Sequence, residues 1–445
     1  MIENPLRISV VGLGKLGYPL ALCFAAKGHR VVGADLNPRT VDLITRGLSP
    51  VLESGVTALL QDAEDRFIAT LDNRQAILDS DVTLVIVPTP SQADGTFSNK
   101  YVLDACDAIG RGLADKSAHH VVVLVSTVMP GSTGGEIRSK LERVSGKSCG
   151  ADFGLAYVPS FIALGSVVWD FLHPDFLLIG ESDARSGDLL EELYTGVCEN
   201  TPKTARMNFI NAELTKLATN TFVSTKITFA NLLAQICEQL PDAHVDVVTS
   251  ALGLDSRIGA KYLKGGMGYG GPCLVRDSIA MAALAQSTGG TGQLAEATHD
   301  ANQNEVVRLA DLIKAKRSPN GTVGVLGLSY KANTDVIDAS PGVLLCQALA
   351  AQGVPVVTYD PAAMDQAKRV LESSVRFAES AKACIQQSDL VVITTPWKEF
   401  QELEPEAFGP SGSRVLVDCW RILEGSKTKA VTDYVPLGVG PSPRS

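Results

Sequence analysis

Cys273 sits in the stretch GMGYGGPCLVRD, residues 266–277, behind four glycines and just ahead of an arginine and an aspartate. A thiol acts as a nucleophile in its thiolate form, and an open loop beside a cation favours that form. The competing reading is an ordinary buried cysteine, a small hydrophobe. The glycines favour the reactive thiol, because they serve an approaching ligand better than a core. Asp277 follows four residues later at the start of a helical segment, within reach of the thiol. Lys216 and Asn220 are also four apart, in a helical stretch, and so share one face. By themselves they could equally form a solvated polar stripe.

A second chemical signature lies near the N-terminus. Gly12, Gly14 and Gly17 in VVGLGKLGYPLAL fit G-x-G-x-x-G between a strand and a helix. Such glycines permit a tight turn and let backbone amides, here of the segment Leu13, Lys15 and Leu16, approach a pyrophosphate at a helix N-terminus. The next apolar strand, RVVGADLN, ends in Asp35, where a carboxylate accepts ribose hydroxyls and repels a 2′-phosphate. The cofactor expected is therefore NAD.

The elements around these residues follow from periodicity. Short apolar runs alternate with helical stretches through RISVVGLG, RVVGADL, VTLVIVPTP, HVVVLVSTV, FGLAYVPS and DFLLIG, the pattern of a parallel sheet covered by helices. From Asn208 to Leu240 glycine and proline vanish, and apolar residues return every three or four positions, predicting one long helix. After a turn at SPNG (318–321) the α/β pattern resumes in GTVGVLGLSY, VPVVTYD, SDLVVITTPW and SRVLVDC. The fold class expected is α/β, two Rossmann-like doubly wound domains joined by a long central helix. The expected divisions are 1–200, a NAD-binding domain; 201–317, a helical central and dimerisation region with the cysteine loop; and 318–445, a C-terminal α/β domain. The tail GVGPSPRS is expected to be loose.

Composition narrows the function. A chain of 445 residues, 45% hydrophobic and 20% charged, is globular and large enough for two or three domains. A net charge of -10 argues against nucleic-acid or anionic-membrane partners. No apolar run approaches a membrane span and no secretory signal precedes the first strand, so a cytoplasmic location is expected. The nine cysteines form no C-x-x-C pair, and no metal is expected. His119 and His120 lack a ligand partner at metal spacing and read as surface residues at a loop end. His173 reads as a loop or substrate-edge residue, and Trp169, Trp397 and Trp420 are too scattered to stack nucleic-acid bases.

Taken in chain order, GLGKLG with Asp35, VPTPSQADG (87–95), STVMPGST (126–133), ELTKLATN (213–220), residues 255–277, GLSYKANTD (327–335) and DCWRIL (418–423) resemble the UDP-glucose/GDP-mannose dehydrogenase family. The resemblance implies oxidation of the C6 alcohol of a nucleotide sugar to a carboxylate with two NAD. It implies that Cys273 captures the intermediate aldehyde as a thiohemiacetal that is oxidised to a thioester. Lys216 and Asn220 would stabilise the oxyanion, Asp277 with a water would handle protons, and Thr127 would hold a water near the reacting carbon. Pro88, Thr89, Ser126 and Thr127 would line the cofactor. Ser160, Phe161, Ile162 and the loop from Tyr262 through Lys264 and Gly270 would meet the substrate. Lys331 and Arg421 would meet its diphosphate and sugar, and Arg257 would reach a neighbouring subunit, implying a homodimer.

The chain departs from that family in one segment. Where glucose-type members read N-P-E-F-L-x-E-G, it reads VPSFIALG at 158–165, so Ser160 and Leu164 replace both glutamates. Serine is a poor general base at neutral pH, and losing a positioned base costs about 10²- to 10⁴-fold in a proton transfer. Three outcomes are open: four-electron oxidation with a water held by Ser160 and Thr127; two-electron oxidation of a hydroxyl on a modified sugar, uronate or sugar nucleoside; and a non-catalytic binding homologue. Joint retention of Cys273, Lys216, Asn220 and Asp277 weighs against the last. Asp338 also stands where members carry arginine, as a variant domain or subunit contact, a substrate neighbour or a solvated loop residue.

Overall fold

The computed structural model describes residues 5–408, 414–423, 425, 429, 431 and 433–441. The chain divides into two compact units, Met1–Ala218 and Thr219–Ser445, with the division inside one helix, Phe209–Gln239.

In the first unit eight strands form one sheet: β1 (Arg7–Val11), β2 (Arg30–Ala34), β3 (Phe67–Thr70), β4 (Val82–Val85), β5 (Val121–Leu124), β6 (Gly154–Tyr157), β7 (Phe176–Glu181) and β8 (Lys203–Met207). Their order is β3-β2-β1-β4-β5-β6-β7-β8. The central strands β1, β4 and β5 are valine-rich and buried on both faces, as a helix-covered parallel sheet requires. One pairing departs from the all-parallel expectation, because β7 runs antiparallel to β6.

The second unit has its own sheet of β9 (Val323–Leu326), β10 (Val356–Tyr359), β11 (Arg376–Phe377), β12 (Leu390–Ile393), β13 (Val415–Asp418) and β14 (Asp433–Pro436), all parallel. Its order, β11-β10-β9-β12-β13-β14, repeats that of the first six strands of the other sheet. Both halves thus carry the doubly wound arrangement, whose ligands sit at the carboxyl ends of the strands where the order reverses. No helix among the described residues is long and apolar enough to cross a membrane.

Two expectations fail on packing. His120 is buried, its Nε2 paired with Thr83 Oγ1 at 2.8 Å and its Nδ1 with Ser80 O at 3.1 Å. Burial, with Lys116 nearby, pushes its pKa down to about 3. The tail is anchored as far as Pro441: the Gly438 amide donates to Glu238 Oε1 (2.9 Å) and the Gly440 amide to Ala243 O (2.8 Å). Residues 442–445 lie outside the described residues.

Candidate active site

In the first unit, Gly12 follows β1 with φ +98°, and a Cβ there would stand 2.2 Å from Ile86 O. A Cβ on Gly17 would stand 1.9 Å from Gly12 O, whereas one on Gly14 would meet nothing within 4 Å. Gly12 and Gly17 therefore close the turn and seat the helix Gly17–Ala26 against the strand, and Gly14 leaves room above the helix N-terminus. Asp35 Oδ2 accepts the Leu13 amide (2.7 Å) and Oδ1 the Asn37 amide (2.8 Å). Each oxygen keeps a lone pair for a ribose hydroxyl. Leu13 itself is a core side chain and Lys15 is exposed, so Leu13 contributes backbone to the turn. Thr89 Oγ1 donates to Thr127 O (2.6 Å), and Ser126 Oγ both donates to Val87 O and accepts the Val87 amide. These bonds stitch together the two strand ends that carry Pro88 and Thr127. The arrangement fits a dinucleotide with an unphosphorylated ribose.

Lys216, on the long helix, is buried and donates to Ser160 O at 2.8 Å. Its Nζ also stands 4.7 Å above the Phe161 ring, which packs against Phe176. Ile162 and Leu164 pack against the apolar core, so the position of the second missing glutamate holds an apolar contact. Three residues before Lys216, Glu213 is fully buried and accepts the amides of Gly131 (2.6 Å) and Thr133 (2.7 Å). Burial raises its pKa against those bonds. It anchors the turn that follows Thr127, a role the sequence reading did not assign. The available signal was a lone acid in the motif ELTKLATN.

In the second unit, Cys273 is exposed and forms the N-cap of the 14-residue helix Leu274–Ser287. The helix dipole there favours a thiolate. Seven other cysteines are buried and Cys198 is partly so; burial pushes the thiols of Cys23, Cys106, Cys346 and Cys384 up to about 12. One turn into the helix, Asp277 is wholly buried and accepts from Asn220 Nδ2 (2.6 Å) and from Arg276 Nε (3.2 Å). Asn220 is thereby oriented through one of its two side-chain N–H groups.

The glycines ahead of Cys273 have a reason the sequence reading missed. A Cβ on Gly266 would stand 2.6 Å from Cys419 O, on Gly268 2.7 Å from Asn302 Oδ1, on Gly270 2.4 Å from Ala339 O, and on Gly271 2.7 Å from the Tyr330 ring. They admit protein, and the accessible thiol lies beyond them. Asn231 accepts the Gly266 amide and donates to Met267 O, and Asn302 does the same for both backbone groups of Tyr269. Two buried side-chain amides thus stand in for the strand partner that the loop lacks.

Tyr262 (φ +63°) and Lys264 are exposed, and Gly270 is buried. Arg257 is exposed and held in a bidentate pair by Asp255. Lys331 is partly buried, and Asp338 is exposed, its carbonyl accepting the Gly271 amide at 2.7 Å. Arg421, expected at the diphosphate and sugar, is turned into the protein. Its side chain is 6% exposed, and its guanidinium is committed to Asp246, Gly265 O, Leu437 O and Cys419 O. No metal-binding cluster occurs among the described residues.

Sequence models of the UDP-glucose/GDP-mannose dehydrogenase family match all three segments: the NAD binding domain at 6–198, the central domain at 210–304 and the UDP binding domain at 324–425. The chain is 36% identical to the UDP-glucose 6-dehydrogenase AglM of Haloferax volcanii over 422 residues, 94% of this chain and 97% of that one. It is 34% identical to a GDP-mannose 6-dehydrogenase of Pseudomonas putida over 426 residues, covering 92% and 95%. A UDP-glucose dehydrogenase from the archaeon Pyrobaculum islandicum superposes with a TM-score of 0.88 at 33% identity, covering 97% of both chains. The chain therefore belongs to the UDP-glucose/GDP-mannose dehydrogenase family and is an NAD-dependent nucleotide-sugar dehydrogenase.

Proposed function

We propose that the protein oxidises a UDP- or GDP-linked hexose or N-acetylhexosamine at C6 to the uronic acid in two hydride transfers, with Cys273 as the covalent nucleophile. The observation that carries this reading is an exposed thiol at a helix N-cap, one turn from a buried Asp277 and its Asn220 partner. NAD, which the Gly12–Gly17 turn and Asp35 would hold, would supply the hydride acceptor, one molecule for each of the two transfers. In the first step the C6 alcohol loses a proton and a hydride, giving the aldehyde. The Cys273 thiolate adds to that carbonyl, and Lys216 and Asn220 donate to the oxyanion formed. Loss of the second hydride leaves a thioester. Water then releases the acid and restores the thiol.

The last step is where this chain departs from the glucose-type pattern that its sequence otherwise resembles. Ser160 has no carboxylate to activate water, and its carbonyl is engaged by Lys216. That observation supports a second reading, in which a two-electron oxidation of a ring or side-chain hydroxyl on a modified sugar, uronate or sugar nucleoside stops before any thioester. NADH formed per substrate consumed, across UDP- and GDP-sugars and uronates with products weighed by mass spectrometry, separates the two. Two NADH and a new carboxylate support the four-electron route; one NADH and a loss of two hydrogens support the other.

We further propose a homodimer. Phe222, Phe229, Leu232 and Ile236 are exposed along one side of the long helix, Leu240 is exposed just past its end, and Val247 and Val248 are exposed on the helix Val245–Gly253. An apolar stripe of this length on a soluble chain calls for a partner surface. Sedimentation of Phe229→Asp should give a monomer where the parent gives a dimer.

A further inference from the structure

A guanidinium has five N–H donors in a fixed plane. In Arg421 all are spent inside the protein: Nε and Nη2 form a bidentate pair with Asp246 (2.8 Å each), Nη2 also donates to Gly265 O (2.7 Å), and Nη1 donates to Leu437 O (2.6 Å) and, more weakly, to Cys419 O (3.4 Å). The backbone there is left-handed, φ +56°, which turns the side chain back over the ends of β13 and β14. Arg421 therefore offers no N–H to a phosphate without surrendering one of these contacts.

Gly265 opens the loop that delivers Cys273. Beyond it the chain is held by Asn231 at Gly266 and Met267, by Asn302 at Tyr269, and by Asp338 O at Gly271. The close approach of Gly266 to Cys419 O, where a Cβ would stand at 2.6 Å, presses the same end of the loop onto the end of β13. We propose that Arg421 is a positioning residue: with Asp246 as its anchor it ties the entry of the 265–271 loop to the C-terminal sheet and so sets where Cys273 stands, instead of gripping the diphosphate. Burial pushes the Asp246 carboxyl up, but the hydrogen bonds and charge of Arg421, helped by Lys264, outweigh it and hold that carboxyl below its usual value. The anchor thus stays charged at neutral pH.

This rests on Cys273 being the reactive thiol of the loop, and the test reads the thiol without requiring turnover. In the full-length enzyme, Arg421→Lys and Asp246→Asn are compared for the rate of Cys273 alkylation by iodoacetamide, with Cys273→Ala as the blank, for NAD affinity, and for kcat and KM. Both variants should change the alkylation rate several-fold and lower kcat by about 10- to 100-fold, as a misplacement of about 1 Å does, with KM and NAD affinity nearly unchanged. A phosphate grip predicts the opposite split: Arg421→Lys would raise KM with alkylation unchanged, and Asp246→Asn, which frees the guanidinium, would leave KM the same or lower it. That pattern overturns the proposal. Because Asp246 is only a partner of Arg421, agreement between the two variants is a result that loss of a ligand contact cannot mimic. Full turnover in Cys273→Ala would instead remove the nucleophile reading and leave the alkylation test of the clamp standing.

Discussion

The two halves of the chain build the same turn and use it differently. After β1 the Gly12 amide donates to Ala34 O (2.8 Å), and the next amide, of Leu13, donates to Asp35 Oδ2 (2.7 Å). After β9 the Gly327 amide donates to Tyr359 O (2.9 Å), and that of Leu328 donates to Asp360 Oδ2 (2.7 Å). The helix glycine fits equally in both: a Cβ on Gly342 would stand 2.2 Å from Gly327 O, much as one on Gly17 would approach Gly12 O. The first half then enters its helix at once and leaves Asp35 partly exposed. The second inserts residues 328–340 and buries Asp360 under Ser329 and Trp397, both of which donate to Oδ2, while Oδ1 takes the amides of Ala362 and Ala363. One carboxylate remains available to a ribose and the other has become a hub of the fold. Strand order and glycine geometry are therefore a scaffold, and the loops decide what each half can bind.

The comparison is most sharply tested at the turn glycines. Gly12→Ala and Gly327→Ala each place a Cβ at positive φ against fixed atoms, Ile86 O in one and Thr395 in the other. Each should cost about 2–5 kcal/mol from strain and overpacking together. Calorimetry should find NAD binding lost only for Gly12→Ala; its loss in a folded Gly327→Ala would break the division of labour.

Acid sensitivity is the next contrast, and it should lie in the first half. His120 titrates at 6.5 when unfolded but near 3 when folded, so the unfolded chain binds the extra proton. Its contribution is fully present above pH 6.5 and is lost as pH falls toward 3. By about pH 4.5 the loss is on the order of a few kcal/mol. His120→Gln should flatten the stability curve over that window, and an unchanged slope would assign the acid loss elsewhere.

Smaller effects separate the two aspartates. Asp360→Asn removes a charged acceptor from a buried hub and should cost about 1.5–3 kcal/mol in chemical denaturation, with NAD affinity intact. Asp35→Asn should do the reverse, weakening NAD by about tenfold with a modest change in stability. If both variants lost NAD equally, the second turn would have to be reconsidered as a nucleotide site.

The strands that apolar runs predicted are interior: β1, β2, β4, β5, β6 and β7 in one sheet, and β9, β10, β12 and β13 in the other. The four strands that the sequence reading passed over, β3, β8, β11 and β14, are the four sheet edges. An edge strand is covered less completely, so FIAT and KTARM carry polar or half-exposed residues and no continuous apolar run marks them. The long helix was legible because 31 residues without glycine or proline allow little else.

Local chemistry in the sequence determined the glycine turn with Asp35, the place of Cys273 behind its glycines and the one-turn spacing of Lys216 and Asn220. These depend on residue type and short-range periodicity, which a single chain displays directly. Only the tertiary structure decided that the glycines before Cys273 admit Cys419, Asn302, Ala339 and Tyr330, that Asp277 lies buried against Asn220, and that Arg421 spends its donors on Asp246 and backbone carbonyls. Those partners lie tens to more than a hundred residues away, and which buried donor finds which acceptor is settled only when packing brings them together.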